Sequence, residues 1–395
     1  MNKDLCVQET YLGDLCEFTQ GVQIPASETI KELQPGFIRY IYIRDLFIDK
    51  FPVFVKDIYP QKILKESDII MVNTGATAGD VYRGKRGVLC NNAFTIKIKH
   101  ESTEFLDLEF LWYFLNSEQK DHQLRRLFNS AGQPHVGHGN IAKLKILLFP
   151  ISEQRKIATI LYTWDEAITL TQKLIAALQQ RKKGLMQRLL SGEVRFPGFE
   201  DEWEEVSLGE MGIVTNGGTP DSTKPDYWDG SIDWTTPSEI TALSTKYIEH
   251  TQRHISEMGL AKSSAVLIPP YSILVCTRAT IGELAINLVP MATNQGFKNL
   301  TPNENYNPEY IYYLLKSNKH KIVRYANGST FLELSKKDFM KLKFSVPQKH
   351  EQENIANILN ECDKEIETYQ HLKEKIQHQK KGLMQRLLTG KVRVN

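Results

Sequence analysis

The sequence predicts an α/β (α+β) protein: two pseudo-repeated mixed domains joined by a pair of long coiled-coil helices. Three observations predict it. The heptapeptide GLMQRLL occurs at residues 184–190 and again at 382–388, an offset of 198 residues. Each copy ends a stretch of about 38 residues with one Gly, no Pro and apolar residues on a 3-4 spacing. Ahead of each stretch lie short β-type runs broken by Gly, Pro, Asn and Asp clusters.

A chain of 395 residues exceeds one ordinary core, so two or more domains are expected. Hydrophobic residues at 41% and charged residues at 24% are an ordinary balance. The formal net charge of +2 neither announces nor excludes a nucleic-acid partner, because binding needs a local basic face. No apolar run approaches the ~20 residues of a membrane span. The N-terminal MNKDLCVQET lacks the apolar core of a signal peptide, so a cytoplasmic location is expected. Cys6, Cys16, Cys90, Cys276 and Cys362 are odd in number, scattered and free of CxxC pairs. Neither a disulfide framework nor a cysteine zinc site is expected.

The repeat organises the chain. KKGLMQRLLSGEVR (182–195) faces KKGLMQRLLTGKVR (380–393), EQRKIATIL (153–161) faces EQENIANIL (351–359), and KLK (143–145) faces KLK (341–343), all at 198. Weaker echoes drift in offset. LGDLCEFTQG (12–21) resembles LGEMGIVTNG (208–217) at 196, and LEFLWYFLNS (108–117) resembles PEYIYYLLKS (308–317) at 200. TGATAG (74–79) and NNAF (91–94) resemble TRATIG (277–282) and NQGF (294–297) at 203. The drift implies loops of different length on one framework. The predicted layout is a head at 1–150, a helix at 151–192, a linker at 193–206, a second head at 207–347 and a second helix at 348–390. The linker contains FPGFEDEWEE (196–205), whose Pro, Gly and five acidic residues read as solvated chain.

The helical seam runs through Ile157, Leu161, Trp164, Ile168, Ile175, Leu178, Leu185 and Leu189, with Thr171 and Lys182 interrupting it. In the second copy it runs through Ile355, Leu359, Cys362, Ile366, Tyr369, Lys373, Ile376, Lys380, Leu383 and Leu387. Lys182 and Lys380 occupy the same slot, where a polar seam residue costs stability and fixes register. About 38 residues make a helix of roughly 57 Å, too long to bury its stripe on one small head. Packing of the two helices on each other is the simplest solution; each helix lying on its own head is the alternative. The pattern does not fix their orientation.

Within the heads, β-type runs fall at 37–43, 68–72, 94–98, 265–269 and 272–276, with one helix each at 108–127 and 308–325. Catalytic motifs fail on inspection. GDVYRGKR (79–86) places Arg86 where a phosphate loop needs a hydroxyl. NNAF and NQGF lack the prolines of an adenine-methyltransferase loop, and no glycine-rich cofactor loop follows a strand. The pairs His135/His138 and His250/His254 lack a third metal ligand nearby. Recognition chemistry remains: Asn, Gln, Thr, Ser, Arg and Lys in the loops, the side chains that read base edges and hold phosphates. The candidates in the first head are Asn73, Thr74, Thr77, Arg83, Lys85, Arg86, Asn91, Asn92, Gln133, His135 and His138. In the second they are Thr219, Lys224, Trp234, Thr235, Thr236, Ser238, Arg278, Thr280, Asn294, Gln295, Ser329 and Lys336.

Over nearly its whole length the chain resembles the specificity (S) subunits of Type I restriction-modification systems. EQRKIATIL and GLMQRLLSGEVRF, with EQENIANIL and GLMQRLLTGKVRV, carry the resemblance most specifically. LGE…NGGTP (208–220), IDWTTPSEI (232–240) and TRATIGELAI (277–286) support it. The resemblance implies two target-recognition domains, each reading one half of a split double-stranded DNA site, on an antiparallel helix pair acting as a spacer. It implies a non-catalytic chain without cofactor. Two methyltransferase (M) subunits would carry S-adenosylmethionine and the chemistry, and restriction (R) subunits would add ATP- and Mg-dependent cleavage. Two departures stand out. Pro150 lies three residues before its Glu-Gln pair but Pro347 lies four before its own, which predicts different strand-to-helix joints. The first head offers GVQIP and YIYIRD in place of the GGTP and WTTP strings.

On residues alone, two other classes stay open: a self-sufficient methyltransferase or nuclease, marked by cofactor binding to the purified chain, and a non-DNA scaffold, marked by the lack of any footprint. With a modest charge, the isolated chain is expected to bind DNA weakly. A helix of roughly 57 Å, set against ~34–36 Å per DNA turn, would hold two readers about one turn or more apart. Inserting four residues into one helix should therefore lengthen the unread spacer and leave both half-sites intact; methylation mapping that finds altered half-sites rejects the reading.

Overall fold

The computed structural model describes residues 7–48, 50–127, 135–326 and 333–394; Cys6, Gln133 and Ser329 lie outside the described residues. The chain divides into two folding units whose limits fall inside the long helices, Ile151–Leu190 and Lys349–Leu388. One unit is Met1–Gln172 with His371–Asn395, and the other is Lys173–Gln370.

In the first unit Cys16–Gln20, Ala93–Ile98, Ile69–Val72 and Val81–Tyr82 form an antiparallel sheet in that order. A second sheet orders Val53–Lys56, Phe37–Ile41, Gly87–Leu89 and Ile63–Leu64 around a parallel central pair. Gln8–Tyr11 pairs with Lys145–Leu148 just ahead of the long helix. The second unit has a five-stranded sheet, Gly212–Asn216, Phe297–Pro302, Ile273–Cys276, Leu284–Asn287 and Tyr247–Ile248. Beside it stand the three strands Arg253–Ile255, Trp228–Thr235 and Met291–Thr293, and the pair Glu204–Ser207 with Lys343–Val346.

Several sequence expectations change here. The single helices expected at 108–127 and 308–325 are each two, Leu108–Leu115 with Glu118–Leu127 and Pro308–Ser317 with Lys319–Tyr325, and both heads carry further short helices. The breaks follow from side chains that compete for the backbone. Asn116 and Asn318 donate to the carbonyls of Trp112 and Leu314, and the Ser117 hydroxyl accepts from the Lys120 N–H. Residues 265–269 make no strand beyond an isolated bridge from Ile268 to Met291. Trp234 and Thr235, read as loop residues, lie in the eight-residue strand Trp228–Thr235. The NNAF/NQGF match is one residue out of register. Val72 pairs with Ala93 and Cys276 with Phe297, so Ala93 corresponds to Phe297 at offset 204. In a strand that slip would reverse every side chain, and backbone pairing decides it.

Each unit is completed by the tail of the other repeat. In the first unit Asp165 meets Lys380 at 2.6 Å and Glu153 meets Arg393 at 2.7 Å, so the two helix segments run antiparallel. In the second unit Asp363 meets Lys182, and Glu351 meets Arg195 at 2.7 Å, again antiparallel. These are the same pairs at offset 198. The seam lysines thus have partners, and each lies over a tyrosine that bonds the same aspartate: Tyr113 to Asp165 at 2.9 Å and Tyr313 to Asp363 at 2.5 Å. Burial, reinforced by the aspartate, raises both tyrosine pKa values, and burial lowers that of Lys182. Ile175, Leu178 and Ile366 form a buried cluster in the second unit with Tyr369 against it. Trp164, Ile168 and Ile376 are half-buried.

The Glu-Gln pair has a separable duty for each residue. Glu351, 1% exposed, accepts two bonds from the Arg195 guanidinium and one from Trp203 Nε1. Glu153 accepts from Arg393 and from the Val394 N–H, and the guanidinium holds its carboxyl below the usual range. Gln154 accepts from the Asp107 N–H and donates to the Phe105 and Phe149 carbonyls. Gln352 does the same with Asn307, Asn305 and Pro347. Phe149 and Pro347 are therefore equivalent, and the two strand-to-helix joints are alike despite the shifted proline. The linker is structured for the same reason. Arg195 and Trp203 bind Glu351, Phe196 packs on the core, and Glu204–Ser207 joins a sheet.

The repeated heptapeptide now has an explanation. Leu387 and Leu388 are buried with Leu12, Phe110, Ile157 and Leu161, while Leu383 packs alongside. Leu189 and Leu190 are buried with Leu208, Tyr310, Ile355 and Leu359, while Leu185 packs alongside. Equivalent sockets require equivalent plugs. Leu387→Ala should cost about 2–5 kcal/mol and speed hydrogen exchange within residues 7–127, with Leu189→Ala doing so within 207–326. Exchange mass spectrometry that finds the two effects interchanged refutes the assignment. The Glu153–Arg393 bond favours folding above the ordinary carboxylate range, and its contribution fades as pH falls through the depressed Glu153 value.

Candidate nucleic-acid interface

In the first head, the end of strand Ile69–Val72 brings three polar segments together. The Asn73 N–H donates to the Asn92 carbonyl at 3.0 Å, and the Val136 N–H donates to the Asn73 carbonyl at 2.7 Å. Thr74 Oγ1 lies 3.2 Å from His135 Nδ1. Asn91 joins through Gln23 at 3.4 Å, and the Gln20 amide donates to the Asn91 carbonyl. The second head repeats this frame. The Thr277 N–H donates to the Gly296 carbonyl at 2.7 Å, and the Leu334 N–H donates to the Thr277 carbonyl at 3.2 Å. Arg278 Nη2 meets Glu333 Oε2 at 2.7 Å. Arg278, rather than Thr277, thus stands where Thr74 stands, and Glu333 stands where His135 stands.

Around that frame in the second head, Thr219 Oγ1 donates to Gln295, and the Asn294 N–H donates to the Thr235 carbonyl. Thr236 caps Pro237–Ala242 with Glu239 in a reciprocal capping box, and exposed Ser238 touches the Thr236 hydroxyl. Lys298 is buried and reaches Glu333 at 3.7 Å, and burial lowers its pKa. The Arg278 guanidinium holds the Glu333 carboxyl below the usual range.

Several other candidates have structural duties, and the rest lie in turns and at element ends. Trp234 and Thr235 are buried, and Trp234 Nε1 donates to the Gly218 carbonyl. Both sit in a strand whose alternation was hidden by its Asp, Gly and Ser. Asn73 is buried as part of the frame. Arg83 Nη1 donates to both carboxylate oxygens of Glu109, and the guanidinium lies 4.4 Å over Trp112. The His138 ring packs against Phe18 and Phe94 and its pKa falls with burial, so it belongs to the core edge. Thr77 and half-buried Thr280 supply turn carbonyls to the N–H groups of Asp80 and Glu283. Lys224 reaches Tyr227 in a separate turn. Lys85 and Arg86 precede strand Gly87–Leu89, and exposed Lys336 opens the helix Lys336–Met340.

Three functional candidates were missed. Glu333 stood at offset 198 from His135 and could have been found that way. Buried Lys298 carried no signal. Nor did Arg253, which stacks 3.9 Å over Trp228 only because a register places the two strands together. Among the described residues no group of three metal-ligating side chains gathers. The four described cysteines are free and buried, and burial pushes the Cys16 and Cys276 thiols up to about 12, far from nucleophilic readiness. No described helix is long and apolar enough to cross a membrane.

Comparison with known proteins points to one family. The model of the Type I restriction modification DNA specificity domain matches twice, over residues 7–180 and 200–378. The Type I restriction enzyme MjaVIII specificity subunit of Methanocaldococcus jannaschii is 26% identical over 97% of this chain and 92% of its own. The MjaIX specificity subunit of the same organism is 34% identical over 42% of this chain, an alignment spanning only 39% of that relative. The solved Type-I restriction-modification S subunit from M. genitalium shares the fold with a TM-score of 0.55 at 16% identity, covering 98% of this chain and 97% of that one. The chain belongs to the Type I restriction-modification DNA specificity family and carries the family's domain twice.

Proposed function

We propose that this chain is the non-catalytic DNA-reading subunit of a Type I restriction-modification complex in the bacterial or archaeal cytoplasm. Each head reads one half of a bipartite double-stranded site. The single observation that carries the reading is the loop frame built twice from the same backbone bonds and furnished with unlike side chains, Thr74 with His135 and Arg278 with Glu333. A shared frame presents the loops to DNA alike, and unlike side chains select different bases. Two methyltransferase subunits dock along the assembly and hold S-adenosylmethionine. Restriction subunits join them and use ATP and Mg. This chain contributes no reacting group.

Single-molecule methylome sequencing of cells with and without the gene tests the reading. A bipartite adenine-methylation motif should vanish with the chain. Replacing the second head, residues 207–347, with that of another family member should change one half of the motif and leave the other half intact. A motif that survives deletion refutes the proposal, as does a head exchange that alters both halves.

A further inference from the structure

We infer that the place held by Arg278 and Glu333 in the second head, and by Thr74 and His135 in the first, is the specificity-determining position of each head, with Arg278 reading a guanine. The inference rests on the DNA-recognition reading above and adds residues and a base to it.

The backbone frame is the same at both places. The strand-end residue before each position donates to the loop opposite and accepts from the segment behind: Asn73 with Asn92 and Val136, Thr277 with Gly296 and Leu334. Each position is followed by a residue of positive φ, Gly75 at 101° and Ala279 at 55°. That region is uncommon for a residue with a side chain, so the chain bears a local cost at Ala279 to hold Arg278 where it is. The chemistry on the frame differs completely. In the first head it is a hydroxyl against an imidazole, and in the second an ion pair.

The second pair is arranged for presentation. The Arg278 side chain is 47% exposed, whereas Lys298, 6% exposed, anchors Glu333 from the protein side at 3.7 Å. Glu333, 36% exposed, holds one edge of the guanidinium at 2.7 Å and so acts as a positioning residue. The remaining donors of a planar guanidinium match O6 and N7 of guanine in the major groove. Thr74 and His135 offer no such fork, so the first head reads its base by single bonds.

The test is methylome sequencing of cells carrying the full complex with the natural chain, Arg278→Ala, Arg278→Lys, Glu333→Gln or Thr74→Ala. The half-site that follows residues 207–347 on head exchange should contain a guanine in one strand. Both Arg278 variants should lower the preference for it at one position by roughly 5- to 150-fold, the Lys variant because its point charge lacks the fork. Glu333→Gln should weaken the same position to a smaller extent, and Thr74→Ala should affect the other half-site alone. Unchanged melting of each variant chain separates loss of reading from loss of fold. A half-site without guanine, or a preference that Arg278→Lys retains in full, overturns the inference. A chain-dependent motif indifferent to Arg278 overturns this inference alone, whereas absence of any chain-dependent motif overturns the recognition reading with it.

Discussion

The structure depends on the docking of each repeat's tail into the head that the other repeat supplies. A glutamate at the start of one long helix, buried in its unit, is neutralised by an arginine just past the end of the other helix: Glu153 by Arg393, Glu351 by Arg195. A buried carboxylate without such a partner would be costly. The leucine pairs Leu387–Leu388 and Leu189–Leu190 fill the adjacent cores. Head, helix start and foreign tail therefore form one cooperative unit, and neither head has a complete core without residues from the other half of the sequence.

That constraint accounts for the likeness of the two helical parts in this chain beside the unlikeness of its heads. Glu, Gln, Asp, Tyr, Lys and the leucines each meet an equivalent partner in the other unit. The Tyr–Asp–Lys triads, Tyr113–Asp165–Lys380 and Tyr313–Asp363–Lys182, join the head's helix to both long helices. A change in one copy would need compensation in the partner that holds it. The loops at the strand ends carry no such obligation. Their backbone bonds fix the frame, and the side chains on it are free to differ between heads.

Electrostatics in the second head shows how a nearly neutral chain can still offer cationic chemistry. Lys298 is buried against Glu333, and Glu333 in turn fixes Arg278 at the surface. The carboxylate offsets much of the local charge while keeping the guanidinium oriented. In the proposed reading, orientation rather than net charge carries the information, since base edges are read by direction and phosphates are not.

The sequence by itself determined the duplication, the two long helices, their seam and the family, because helical periodicity and a 198-residue offset are written in single letters. It also marked the Glu-Gln pairs and the heptapeptides without showing what they touch. Tertiary structure alone decided which tail completes which head, since partners such as Glu153 and Arg393 lie 240 residues apart. It decided the register that aligns Thr74 with Arg278, because strand pairing follows backbone bonds and burial rather than letter similarity. It also took Trp234, Thr235 and His138 from the list of readers: polar or amphipathic side chains look alike in sequence whether they face solvent or close a core, and only packing separates the two.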